Sequence, residues 1–331
     1  MQEPITAGFQ LSLQQKRLWS WQGDGQLAVA QVALRLEGKL DVQRLKDALQ
    51  RIVERHEMLR TTFQRSSGMK FPFQVVNGSA ALSWEQVDLS GPLDKATEKI
   101  RIEELFAACA EIDQERGPAL HACLAMVSGD RQVLVLSLPA LCADAATLTN
   151  LAEELFRLYA NVTQNVAAPL QYADYSEWQK ELLQKNDDEA REGKEYWVRH
   201  DFTSIPNLAL PFEDKREGNV PFLPDSVPVL LDGQLLSQLD GVASGDVAHF
   251  LLACWQVLLW RLTGQAEVVI GYVSDGRNHE ELASALGLFA KAIPLYANFE
   301  PDCSVADVVK QVRQARLEID EWQDYFPAEH I

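Results

Sequence analysis

The side chains able to move protons, attack a carbonyl or hold a metal are scattered along this chain. There are six histidines and five cysteines in 331 residues, and the cysteines stand far apart at Cys109, Cys123, Cys142, Cys254 and Cys303. No pair of cysteines has the two-residue spacing of a zinc or redox site, and the histidines show no ligand spacing either. No glycine-rich phosphate loop follows a strand, and no Gly-x-Ser-x-Gly elbow occurs. One short stretch invites a closer look, Pro139-Ala-Leu-Cys-Ala-Asp-Ala145. It lies between a run that reads as a buried strand and one that reads as a helix. Its titratable side chains are Cys142 and Asp144. Cys142 has no base beside it in sequence, so it reads as a packed thiol or, less simply, as a nucleophile. Asp144 is placed to cap the helix that starts at Ala145. His121, on the strand before, reads as a hydrogen-bonded strand residue or as an imidazole aimed into a ligand channel.

The elements that must position these residues follow from periodicity. Val133 to Leu138 is almost wholly apolar, which predicts a central strand. Ala119 to Met126 precedes it across the turn Gly129–Asp130, so the two are expected as a hairpin. Ala28 to Leu36 alternates as a half-buried strand does, and Phe71 to Val76 is a short strand after a turn at Ser66–Gly68. Leu40 to Met58, Leu93 to Glu111 and Ala145 to Tyr159 carry helical stripes, with Asp41 as the first N-cap. Asn161 to Leu170 is small and polar, and marks a boundary near residue 165. Beyond it, Glu177 to Arg199 is expected as one charged, exposed helix. Pro206 to Pro224, with four prolines, reads as a loop. Val227 to Leu231 is expected as a strand, Leu235 to Val242 as a short helix, and Val247 to Leu262 as a helix apolar all round and so buried. Strands at Glu267 to Val273 and Ile293 to Asn298 and a last helix from Val305 to Tyr325 complete the pattern. Two α/β lobes, residues 1–165 and 166–331, are the simplest organisation.

Composition narrows the classes. The chain is 47% hydrophobic and 24% charged, with a net charge of −18. That balance argues against nucleic acid and anionic membrane as partners, since both need a basic face. Residues 1–16 lack the apolar core of a signal peptide, and the longest apolar stretch, Phe250 to Trp260, is too short to span a bilayer. An odd number of scattered cysteines, four of them among apolar neighbours, fits free buried thiols in a reducing cytoplasmic compartment.

Several short segments occur in a fixed order. They are Ser12-Leu-Gln-Gln-Lys-Arg-Leu-Trp19, Arg55-His-Glu-Met-Leu-Arg-Thr-Thr-Phe63, Tyr172-Ala-Asp-Tyr-Ser-Glu-Trp178, Val268-Val-Ile-Gly271, Gly276-Arg277 and Gly287-Leu-Phe-Ala-Lys-Ala-Ile-Pro294. Together they resemble the condensation domain of nonribosomal peptide synthetases, over nearly the whole chain. The resemblance implies two chloramphenicol-acetyltransferase-like lobes in a V-shaped pseudo-dimer with a tunnel between them. It implies carrier proteins that present phosphopantetheine-linked acyl groups, an adjoining adenylation domain, and no directly bound cofactor or metal.

The departure lies at the centre. The family's active-site motif is His-His-x-x-x-Asp-Gly, and the matching place here is Pro139 to Ala145. Both histidines are replaced, the second by Ala140, while Asp144 remains. In the family that aspartate pairs with the arginine matching Arg277, so an Asp144–Arg277 ion pair is expected. A second departure is Trp322-Gln-Asp324, where the family has His-Gln-Asp. The family's domains also run on by about 100 residues (on the domain sizes such folds reach), so the second lobe is expected to be incomplete. The leading expectation is a non-catalytic condensation domain, a scaffold or platform that recruits a tailoring enzyme in trans. The alternatives are an active amide-forming domain with a non-standard catalytic residue, His121 or Cys142, and a stand-alone acyltransferase.

Overall fold

The elements are seen in a computed structural model that describes residues 8–22, 28–65, 67–91, 94–162, 168–200, 202, 204–213, 227–230, 232–243, 247–300 and 302–327. The chain divides into two compact units. One comprises residues 1–186 with 275–291, the other residues 187–274 with 292–331. The expected boundary near residue 165 falls outside the described residues.

The first unit opens with β1 (Gly8–Gln10), α1 (Leu13–Gln22), β2 (Val29–Glu37) and α2 (Val42–Arg55). Asp41 caps α2 by accepting from the Arg44 amide at 3.0 Å. Next come β3 (Thr61–Gln64), β4 (Phe73–Val76), β5 (Ser83–Asp88), α3 (Lys95–Ala108), β6 (His121–Met126), β7 (Arg131–Pro139), α4 (Ala145–Tyr159) and α5 (Tyr172–Gln184). One sheet has the order β2-β7-β6-β5, with β5 parallel to β6 and the other pairs antiparallel. A smaller sheet has the order β1-β4-β3. The apolar run of β7 is interior, with covered faces on both sides. Leu134, Leu136 and Leu138 pack with Leu45, Leu49 and Ile52 of α2 and Leu151 and Leu155 of α4. Val133 and Val135 point the other way, with Cys123 and Ala125, towards Leu105 and Cys109 at α3. Alternate residues of one strand thus serve two cores, as the pleat requires.

The second unit contains α6 (Asp188–Arg199), α7 (Gly233–Ala243), α8 (Val247–Thr263), β8 (Glu267–Ser274), β9 (Lys291–Asn298) and α9 (Val305–Trp322). Residue 291, the first of β9, belongs to the first unit. Its two strands form their own sheet. Ala253 and Leu259 of α8 meet Val268, Ala297, Phe299, Val308 and Val312 in its core. The Trp260 and Phe299 rings stack at 4.8 Å.

Four expectations need correction. Residues 177–199 form two helices, because Asp187 caps a new one by accepting from the Ala190 amide at 2.9 Å. The first of them is not an exposed helix, since α5 buries Tyr172, Ala173, Tyr175, Ser176, Gln179 and Leu182. Residues 227–230 are exposed and belong to no strand, and Leu231 lies outside the described residues. An extended run becomes a strand only when a ladder partner lies beside it. The helix α8 is not buried all round. Leu251, Trp255, Leu258 and Leu262 are between 42% and 52% exposed, because only the opposite face meets the core. All five cysteines are free, but Cys254 and Cys303 are only half-buried.

Candidate functional site

The strand β7 ends at Pro139, opposite Val29 of β2. The chain then turns, with the Ala140 amide bonded to the Ala28 carbonyl at 2.9 Å and the Cys142 amide to the Pro139 carbonyl at 2.8 Å. Ala140 is half-buried, while Leu141, Cys142, Ala143 and Asp144 are buried. The turn delivers Asp144 to the N-terminus of α4, where its Oδ1 accepts from the Thr147 amide at 2.8 Å.

The carboxylate of Asp144 has more partners than a cap needs. Arg277 donates to it from both terminal nitrogens, Nη1 to Oδ2 at 2.9 Å and Nη2 to Oδ1 at 3.0 Å. The amides of Phe289 and Ala290 each donate to Oδ2 at 2.9 Å. Both charged side chains are 4% exposed. A planar guanidinium matches a carboxylate in this two-pronged way, which lysine cannot do. Arg277 also donates to the Thr147 hydroxyl at 2.8 Å, and its guanidinium lies 4.5 Å from the centre of the Phe289 ring. The Thr147 hydroxyl in turn donates to the Gly287 carbonyl at 2.6 Å and accepts from the Gly287 amide at 3.0 Å. The segment 275–291 is thereby fastened to α4.

Glycine is required twice in that segment. Gly276 has φ +68°, and a Cβ there would collide with the Phe289 carbonyl. At Gly287 a Cβ would overlap the Tyr172 ring. Behind them lies a buried polar network. Tyr172 donates to the Leu288 carbonyl at 2.6 Å and shares a hydrogen bond of 2.8 Å with Ser12. Burial, first of all, keeps its hydroxyl well above the usual tyrosine range, so it stays a donor. Gln15 donates to the Leu141 carbonyl of the turn at 2.9 Å and to Gln74 at 3.1 Å.

The remaining candidates lie apart from this network. Cys142 is fully buried in the core, and burial alone pushes its thiol far above the ordinary range, so it is neither a thiolate nor a base. His121 starts β6 directly opposite Ser137 of β7, three residues before Ala140. Its Nδ1 is 2.7 Å from the Ser83 hydroxyl and its Nε2 is 3.8 Å from Glu85. Among the described residues, no group of histidine, cysteine and carboxylate side chains could hold a metal, and no helix is long and apolar enough to cross a membrane.

Reasoning from the sequence found Asp144 and Arg277, and the structure brings them together. It missed Thr147, the Phe289 and Ala290 amides, and the support from Ser12, Gln15 and Tyr172. The spacing from Asp144 to Thr147 was a legible cue, since a capping aspartate faces the amide three residues on. The Arg55-His-Glu segment is structural as well. His56 is buried, with Nε2 2.7 Å from Glu154, and Arg55 reaches the same carboxylate at 3.4 Å. In Trp322-Gln-Asp324, Gln323 is buried and accepts from the Ser274 hydroxyl at 2.8 Å.

This architecture agrees with comparison to known proteins. The chain matches the condensation domain over residues 7–331. The chain belongs to the condensation-domain family. It is 31% identical over 296 residues to bacitracin synthase 3 of Bacillus licheniformis, which covers 88% of this chain and 4% of that protein. The condensation fold is shared with SgcC5 of Streptomyces globisporus, at a TM-score of 0.79 and 24% identity, over 96% of this chain and 76% of that one. It is shared also with the X-domain from teicoplanin biosynthesis, at a TM-score of 0.75 and 26% identity, over 97% and 72%. That X-domain is known in a complex with OxyB.

Proposed function

We propose that this condensation domain is non-catalytic and serves as a scaffold in a nonribosomal peptide synthetase. The single observation that carries the reading is the divided character of the turn at residues 139–145. Its Asp144 end is clamped by five donors, while Pro139 and Ala140, in the place of the family's histidines, bring no proton acceptor. A general base of that kind is worth roughly 10²–10⁴-fold in rate. The nearby titratable groups do not stand in for it. Cys142 is buried and protonated, Asp144 is fully engaged, and His121 is bonded to Ser83.

In this reading the two compact units are the two acetyltransferase-like lobes. Adjoining adenylation and carrier domains are the partners, and phosphopantetheine arrives on the carriers as part of the substrate. The X-domain's complex with OxyB suggests the kind of task left to such a domain, which is to hold a tailoring enzyme in trans.

The test is amide formation with loaded donor and acceptor carriers, against a background of the carriers alone. No product above background is expected from the unmodified domain. Turnover at rates typical of enzymes, abolished by His121→Ala or Cys142→Ala, would establish a relocated catalytic group instead.

A further inference from the structure

Away from the clamped turn, β5 and β6 bring a hydroxyl and an imidazole together. The two strands run parallel, with Ser83 directly opposite His121. Alternate residues of a strand share a face, so Glu85 stands on the same side of the sheet as Ser83. The Ser83 hydroxyl is 2.7 Å from His121 Nδ1, and Glu85 Oε2 is 3.8 Å from Nε2 on the far side of the ring. The same row continues across the sheet through Ser137 of β7 and Gln31 of β2. Ser137 is fully buried, and its hydroxyl accepts from Gln31 at 2.9 Å. Ser83 differs on both counts, being half-buried and bonded to a base. The His121 side chain is 25% exposed and that of Glu85 58%. Further along this face the sheet turns apolar, with Cys123, Ala125, Val133 and Val135 packed against Leu105 and Cys109.

A neutral imidazole carries a proton on one nitrogen only. The Glu85 carboxylate favours that proton on Nε2, which leaves the Nδ1 lone pair to accept from the Ser83 hydroxyl. A hydroxyl paired with a base, and a base oriented by a third group, is the arrangement of an activated nucleophile. We propose that Ser83 is a nucleophile that cleaves small acyl thioesters, with His121 as its base and Glu85 as a positioning residue. Ser83 Oγ attacks the carbonyl carbon. An O–C bond forms as the C–S bond breaks, and the hydroxyl proton passes through His121 to the departing sulfur. Water then attacks the acyl-serine with the same imidazole as base, which releases the carboxylic acid and restores the hydroxyl. The hydrogen bond that commits His121 to Ser83, and so keeps it from serving the turn at residues 139–145, is the bond this step uses. No amide forms, so the site is independent of the scaffold reading.

The test incubates the whole chain with the acetyl thioester of N-acetylcysteamine, without carriers, and follows thiol release together with the mass of the protein. The expected result is release above the buffer rate, with a single acetyl group on the peptide that holds Ser83. Ser83→Ala and His121→Ala should each slow release about 100-fold or more, the least that a positioned base supplies. Ser83→Cys keeps a nucleophile in place and should be acetylated again, which separates lost chemistry from lost fold. Glu85→Gln should lower kcat about tenfold at unchanged KM, since orienting the base acts in the transition state and not on binding. Release no faster than in buffer, or acetyl carried on another residue, overturns the proposal. So does a rate in either alanine variant within about threefold of the unmodified chain. A Ser83→Cys chain as inert as Ser83→Ala, or an unchanged kcat in Glu85→Gln, overturns it as well.

Discussion

The two ends of the turn at residues 139–145 make the most instructive comparison in this molecule. At one end, Asp144 and Arg277 are buried, paired in two-pronged geometry and surrounded by donors from α4 and from residues 287–290. At the other, Pro139 and Ala140 are held by backbone hydrogen bonds alone, with no side-chain partner of their own. In the reading proposed above, geometry and chemistry are therefore carried by different residues. The turn keeps its shape through Asp144, Thr147 and Gln15, while alanine stands at position 140, where that reading places the family's proton-moving histidine.

The comparison breaks most sharply at Arg277. Arg277→Ala leaves a buried carboxylate without its counter-ion, and should destabilise the fold by about 3–5 kcal/mol in denaturant unfolding. Arg277→Lys should recover only part of this, because it cannot bond both oxygens in one plane. A loss under about 1 kcal/mol for the alanine variant would mean that the pair is a surface-like contact. Gly287→Ala forces a methyl group into the Tyr172 ring, and should cost about 1–3 kcal/mol by overpacking. At Ala140, which is half-buried and held through its backbone, a conservative change such as Ala140→Ser should leave stability within about 0.5 kcal/mol.

A smaller effect separates core from surface elsewhere. Gln256 is fully buried in α8, and neither of its amide atoms has a hydrogen-bond partner among the described residues. Gln256→Met should therefore stabilise the chain by about 1 kcal/mol, read as a higher denaturation midpoint. The acid side of the stability curve offers a further check at Glu154. Burial alone would raise this carboxyl, but His56, Arg55 and Arg157 outweigh it and hold it below its ordinary value. Its folded pKa lies below its unfolded pKa, so its contribution is present above the unfolded value and fades as pH falls through the folded one. The stability gap between the native chain and Glu154→Gln should be full at neutral pH and shrink towards pH 3. A gap that stays constant would contradict the assignment.

Much of the first unit was legible because its signals are local. The apolar run of β7, the hairpin with β6, and α4 with its aspartate cap follow from periodicity and one capping residue. The short strands β1, β3 and β5 were not, since three to six residues carry too little pattern without their partners. The second unit misled through composition. An all-apolar α8 reads as buried everywhere, yet packing chooses one side, and nothing in the residue types names it. At the turn, Asp144 and Arg277 were found through a resemblance to a family. The amides of Phe289 and Ala290 have no side-chain signature, and only the fold brings them to the carboxylate.

The central claim is that the scaffold is intact and the base is absent. The most direct measurement is amide formation from loaded carriers by the unmodified domain, by Ala140→His, and by Pro139→His with Ala140→His. The account predicts no product above the carrier-only background from the unmodified domain. It predicts a gain in the histidine variants of roughly the 10²–10⁴-fold that a positioned base supplies. Enzyme-like turnover by the unmodified domain would contradict it.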